Sequence, residues 1–412
     1  MTRASTMLCA LLAASPALAA EPPALESLER EYKLVFAPNY DLHMVAAASP
    51  TLNRMTQDLY LYGIGPHLPP VLDNVLGTTW AVFFTYTTML FPHEFGHWTR
   101  AQQVDSQFIF HNFMPLLPYT TVEMPDDASH ADSALLSAGG FEVNGLVARQ
   151  TQLDFYENGG AWSDELAHGL LNELFFPIYA VVFPAKAEEA VTWTETRGDP
   201  VHVVLPVYER HTGRPPVDAD GAVDPELTRL YREAVLFSVL WTALDPGLIQ
   251  QGMSFTDSGF DAREAWMPVR TERLGWTWGT QFNPSPLGYE LYLLQYLLVD
   301  QRTFEVAVKY GRPMKNNGIR VSAPDLLETA GVRLGAEVEV WDQDVYGLGV
   351  SATASAEVSI HGGLGAVGQL GYKTDGYVMG RGIDRTPFGA LGLSYRFQHG
   401  PRTAAASDPA DK

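Results

Sequence analysis

The chain has 412 residues, 46% of them hydrophobic and 18% charged, with 36 Gly and 28 Pro. That apolar content can offset the entropy of ordering, which excludes a disordered or collagen-like chain. A formal net charge of −21 makes phosphate backbones poor partners, so nucleic-acid binding is set aside. A single cysteine excludes an intrachain disulfide and a cysteine-based zinc site, leaving histidine and carboxylate to hold any metal.

Residues 1–20, MTRASTMLCALLAASPALAA, open with Arg3, run apolar from Met7 to Ala14 and end in Ala17-Leu18-Ala19 before Glu21. This is the order of a cleavable secretory signal, and its apolar run is too short to span a bilayer. Cys9 leaves with it, so the exported product is free of cysteine, which favours a bacterial envelope protein. Over 21–72, Pro38, Pro50, Pro66, Pro69 and Pro70 interrupt the pattern, and only a helix near 50–62 is predicted.

From 73 to 251 the apolar period is helical, predicting helices over 75–104, 132–156, 164–183 and 225–244. The last starts at Asp224-Pro225 and stops before Pro246, as helix punctuation requires. The aromatic and β-branched run SQFIFHNFMPLLPYTTVEM predicts a short hairpin between the first two. Residues 21–260 therefore read as a helical domain. From about Met267 the period becomes two, with strands predicted over 271–282, 288–298, 303–311, 317–322, 331–341, 347–359, 364–373 and 387–397. In 331–341, for example, Leu334, Val338 and Val340 oppose Arg333, Glu337 and Glu339. About eight such strands over 261–397 predict an antiparallel up-and-down β-barrel with a narrow polar lumen, followed by a disordered tail over 398–412. The fold class is α+β.

The chemistry lies in Phe91-Pro92-His93-Glu94-Phe95-Gly96-His97-Trp98, which contains H-E-x-x-H. On a helix, positions i and i+4 share a face, so His93 and His97 can present two imidazoles to one ion. Glu94 falls beside the open position, where it can take a proton from an activated water. The flanking helix is strongly apolar, and two imidazoles and a carboxylate inside it would cost several kcal/mol without a partner.

This pentapeptide resembles that of the zincin metallopeptidases. The resemblance implies Zn²⁺ on His93 and His97 with Glu94 as general base. The metzincin extension is absent, since Trp98-Thr99-Arg100-Ala101-Gln102-Gln103 follows; the gluzincin pattern takes a glutamate from a later helix. Ser137-Ala138-Gly139-Gly140-Phe141-Glu142 supplies one, and its small residues would let that helix back against Gly96, making Glu142 the expected third ligand. His130, Asp132 and then His168 are the other choices, although a lone histidine such as His168 on an apolar helix is more often a satisfied core residue. Tyr208, Arg210 and His211 are oxyanion candidates by type, and Asp126-Asp127 reads as an acidic turn. The site-two proteases share H-E-x-G-H, but their distal Leu-Asp-Gly is missing here.

The C-terminal half resembles small outer-membrane barrels of Gram-negative bacteria, with the departure that fifteen residues follow Phe397. The expectation is thus an exported zinc metallopeptidase-like hydrolase of the periplasm or outer membrane, acting on envelope proteins or peptides. The alternative is a non-enzymatic outer-membrane barrel protein whose helical half plugs the barrel around a structural metal.

Overall fold

The computed structural model describes residues 29–38, 41–112, 118–125, 127–182, 199–220, 222–256, 262–271, 273–300 and 302–398. The expected secretory signal, Asp126 and the tail beyond Gln398 lie outside the described residues. Strand β1 (Glu29–Phe36) leads into α1 (Leu42–Asp58), a π-helical segment (Leu59–Ile64), a 3₁₀ turn (Gly65–His67) and the long α2 (Pro70–Gln103). The predicted hairpin follows as β2 (Gln107–Asn112) and β3 (Pro118–Glu123), then α3 (His130–Glu157), β4 (Gly160–Trp162) and α4 (Ser163–Val182). Helices α5 (Asp199–Thr212), α6 (Pro225–Ala243) and α7 (Pro246–Thr256) complete the helical half. Pro92 does not end α2, which runs through it, and Ser129 and Asp132 close a capping box on α3.

Two short strands, β5 (Ala262–Glu264) and β6 (Val269–Arg270), precede eight long ones. These are β7 (Leu274–Ser285), β8 (Gly288–Val299), β9 (Arg302–Pro313), β10 (Asn316–Thr329), β11 (Val332–Gln343), β12 (Gly347–His361), β13 (Leu364–Lys373) and β14 (Thr386–Gln398). All eight predicted strands are present as antiparallel neighbours. The strand predicted over 317–322 is much longer, because its apolar alternation continues across a register shift between Ala323 and Leu327.

The barrel expectation is corrected in two respects. The sheet has ten strands among the described residues, in the order β1-β14-β13-β12-β11-β10-β9-β8-β7-β6, and no strand pairing closes it. One additional strand comes from the N-terminal stretch, where β1 pairs with β14 from Glu29 opposite Gln398 to Phe36 opposite Leu391. Helices take the place of closure. On the free edge of β1, Lys33 N donates to Thr51 Oγ1 at 2.8 Å, and that hydroxyl lies 2.8 Å from the Lys33 carbonyl. Arg54 of α1 donates to the Glu31 carbonyl at 2.6 Å. At the opposite end of the sheet, where the two-residue β6 leaves the rest of that edge of β7 unpaired, Thr280 N of β7 donates to Asp245 Oδ2 at 2.8 Å, and its hydroxyl donates to the Trp241 carbonyl at 2.6 Å.

The sheet is inverted relative to a water-soluble one. Its outward rows are apolar and exposed: Val308, Ile319, Val340 and Val350 lie side by side, as do Leu34 and Leu393, and Phe36 and Leu391. Its inward rows are charged and buried. Arg149 of α3 donates to Glu305 on β9 at 2.8 Å and to Glu337 on β11 at 2.7 Å, while Lys309 donates to Glu339 at 2.7 Å. A cavity of about 310 Å³ separates α1 and α3 from this inner face, bordered by Lys33, Glu357 and Arg396. Among the described residues, no helix is long and apolar enough to cross a membrane.

Candidate metal centre

Helices α2 and α3 cross with almost no side chain between them. A Cβ on Gly96 would stand 2.4 Å from the Gly139 carbonyl oxygen, and one on Gly140 would stand 2.5 Å from the His93 ring. The small run in α3 therefore does what its sequence suggested, bringing the backbone of α3 against the H-E-x-x-H face of α2.

That contact fixes both imidazoles from behind. His93 Nδ1 donates to Asn144 Oδ1 at 2.7 Å, and His97 Nδ1 donates to the Leu136 carbonyl at 2.9 Å. Asn144 is held in turn, its Nδ2 donating to Asn172 Oδ1 of α4 at 2.8 Å. Phe141 and Phe175 pack edge-on against the His93 ring, with centroids at 5.1 and 4.7 Å. With each Nδ1 committed, the two Nε2 atoms face one another at 3.3 Å.

The third donor is Asp199, at the start of α5. Its Oδ2 lies 3.1 Å from His93 Nε2 and 3.5 Å from His97 Nε2. These three residues form a group able to hold a metal ion. Donors about 2.0–2.1 Å from zinc in tetrahedral array stand roughly 3.3 Å apart, which matches the triangle found here. The donor set also demands a positive charge, since two imine nitrogens and a carboxylate at these separations repel unless a proton or cation lies among them. Burial alone would lower His97, but the Asp199 carboxylate, its hydrogen bond and Glu94 lift it to about 9. Against the cost of burial, the two imidazoles hold Asp199 far below the usual carboxylate range.

Glu142, expected as the third ligand, is turned away from this triangle. Its Oε1 accepts from Arg100 Nε at 3.2 Å, and its Oε2 accepts from Arg100 Nη2 and, at 2.7 Å, from Gly380 N. The reason is helical phase. Gly140 and Asn144 face His93, whereas Glu142 shares the stripe of Gly139, which meets Gly96 and Arg100 one turn further along α2.

The other candidates stand elsewhere. His130 pairs with Glu209 at 3.0 Å on the surface, and Asp132 caps α3. Tyr208 donates to the Pro215 carbonyl at 3.4 Å and Arg210 to Tyr346, roughly 13 Å or more along α5 from Asp199. A tyrosine that the sequence did not single out, Tyr179 of α4, is closer. Burial, then Asp199 and Glu94, raise it above its ordinary value, placing both carboxylates within electrostatic reach of its hydroxyl.

His168 is a core residue, 3.2 Å from Ser49 Oγ and bonded to the Thr88 backbone. Burial pushes it down to about 4. The neutral ring is thus the form the fold favours, so its contribution is complete above pH 6.5 and is lost as pH falls toward 4. The unfolding constant should rise by about tenfold per pH unit in that window on account of this one group. Urea titrations should show a shallower pH slope for His168→Gln than for the native chain.

No protein-family model matches the chain, and none of the curated proteins matches it. Among solved structures it is similar to the crystal structure of OccAB3 from Acinetobacter baumannii, at 13% identity and a TM-score of 0.24. That likeness takes in 34% of this chain and 47% of the other, less than half of it, and carries no argument about location or activity.

Proposed function

We propose that this chain is an exported zinc-dependent hydrolase of the peptidase kind, set in the outer membrane of a Gram-negative cell by the outward face of its sheet. The observation that carries the catalytic reading is the triangle of His93, His97 and Asp199 with a glutamate beside it. Zinc there would polarise a substrate carbonyl and bring a water toward ionisation near neutral pH. The rest falls to the chain's own residues. Asn144 and the Leu136 carbonyl keep both Nε2 lone pairs aimed at the centre. Glu94 takes the proton from the attacking water and hands it to the leaving amine. The rings of Phe141 and Phe175 exclude water from the His93 side.

A structural zinc would be closed by four protein ligands. Here three donors converge among the described residues, and the Asp199 side chain is 30% exposed, leaving a side from which substrate can enter. That favours a catalytic centre over a structural one. The membrane reading rests on the apolar outer rows and strands of 10 to 15 residues, long enough to cross a bilayer when tilted.

The test is metal content with activity. The native chain should bind one zinc and hydrolyse unfolded envelope protein, losing activity to a chelator and regaining it with zinc. Asp199→Ala should weaken zinc binding by 10-fold or more, about the scale of lost ligand support. Full zinc affinity and full hydrolysis in that variant would defeat the assignment.

A further inference from the structure

We propose that the helical half is itself bedded in lipid, acyl chains covering the outer faces of α1, the first turns of α2 and the second half of α6. This rests on the membrane reading of the sheet and extends it to helices. Three observations carry it.

First, these helices stand where further strands would. Thr51 and Arg54 of α1 satisfy the free edge of β1, and Asp245, just after α6, satisfies that of β7. Sheet edges cannot lie bare in hydrocarbon, so elements that seal both edges belong to the wall. Second, between Met44 and His97 no exposed residue is Asp, Glu, Lys or Arg, in a chain of net charge −21. The exposed positions include Leu52, Met55, Leu59, Val71, Val75 and Val82, a surface that water would not leave uncovered. Third, α6 changes character along its length. Its exposed residues are Pro225, Arg229 and Arg232 in the first half, then Leu236, Val239, Leu240 and Ala243, with the exposed Leu244 directly after the helix. A charged half followed by an apolar one is the profile of a helix passing from water into a bilayer.

Lipid is the occupant these features favour over a second copy of the chain. The two apolar strips flank opposite edges of one sheet, whereas a paired copy would cover one side. Because lipid would contact the helices only on their outer faces, none of them needs to be a self-sufficient span.

Lipid-phase quenching decides the matter. Single cysteines are placed by Met55→Cys, Val75→Cys and Leu240→Cys on the helices, Val338→Cys and Leu393→Cys on the sheet, and Arg229→Cys as the polar control, all in the mature chain. Each is labelled with an environment-sensitive fluorophore and reconstituted in phosphatidylcholine vesicles with and without brominated acyl chains. Quenching at the helix sites within about twofold of the sheet sites, with little at Arg229→Cys, is the expected result. Quenched sheet sites beside unquenched helix sites would overturn the inference and leave the membrane sheet standing, and copy-to-copy disulfides at Met55→Cys would then name a second chain as the cover. Unquenched sites throughout would overturn both readings together.

Discussion

Replacing Glu94 by glutamine is expected to leave one zinc bound per chain while hydrolysis falls by about 100- to 10,000-fold, the range for removing a positioned general base. Glutamine keeps the size and hydrogen-bonding reach of the side chain, so the buried position between His93 and His97 should tolerate it. What it loses is the charge that helps to lift His97 and the lone pair able to take a proton. The ligand triangle does not include this residue. Zinc content by mass spectrometry and turnover on an unfolded protein substrate therefore separate cleanly. Turnover within threefold of the native chain would remove Glu94 from the chemistry, and a parallel loss of zinc would make it a ligand.

The second large effect concerns stability. Arg100 and Glu142 form an ion pair with no exposed side-chain surface, and it is tied further by Gly380 N to Glu142 and by Arg100 to the Arg381 carbonyl at 2.8 Å. It thus joins α2, α3 and the connection between β13 and β14. Truncating one partner strands a buried charge, at a cost of about 3–5 kcal/mol. Glu142→Ala should lower the unfolding free energy by about that amount and still bind zinc, whereas Asp199→Ala should do the reverse. Urea unfolding beside zinc titration tests both. Normal stability with lost zinc in Glu142→Ala would return that glutamate to the metal.

Much of the architecture could be read directly. The two-residue period located all eight long strands of the C-terminal half, because alternation survives whether the apolar face meets core or lipid. No such period showed how the two edges of the sheet end. β1 is a short strand among prolines, and its pairing with β14 depends on contacts some 360 residues away that no local pattern carries.

The H-E-x-x-H pair was legible since both imidazoles ride on one helix turn. Asp199 was not, since it arrives more than a hundred residues later on a helix whose sequence is interrupted by Pro206, although the helix runs through it. A signal was nevertheless available. Asp199-Pro200, Asp224-Pro225 and Asp245-Pro246 are the same dipeptide, and each lies at a helix start. Only the middle one was read as a helix start, the last serving as a stop for the helix before it, so α5 and α7 went unpredicted, and with α5 the third donor. Glu142 was plausible by spacing, but spacing alone does not tell which stripe of a helix meets the ion and which meets an arginine.

The seam between β1 and β14 sets a clock on biogenesis. The first strand made has no strand beside it until the last one is made, whereas each strand from β7 to β14 pairs with its neighbour in sequence. Such remote pairing is intrinsically slow, since a long loop has to be drawn shut before any contact rewards it. During that interval β1 is held from the helical side, by Lys33 N on Thr51 and by Arg54 on the Glu31 carbonyl.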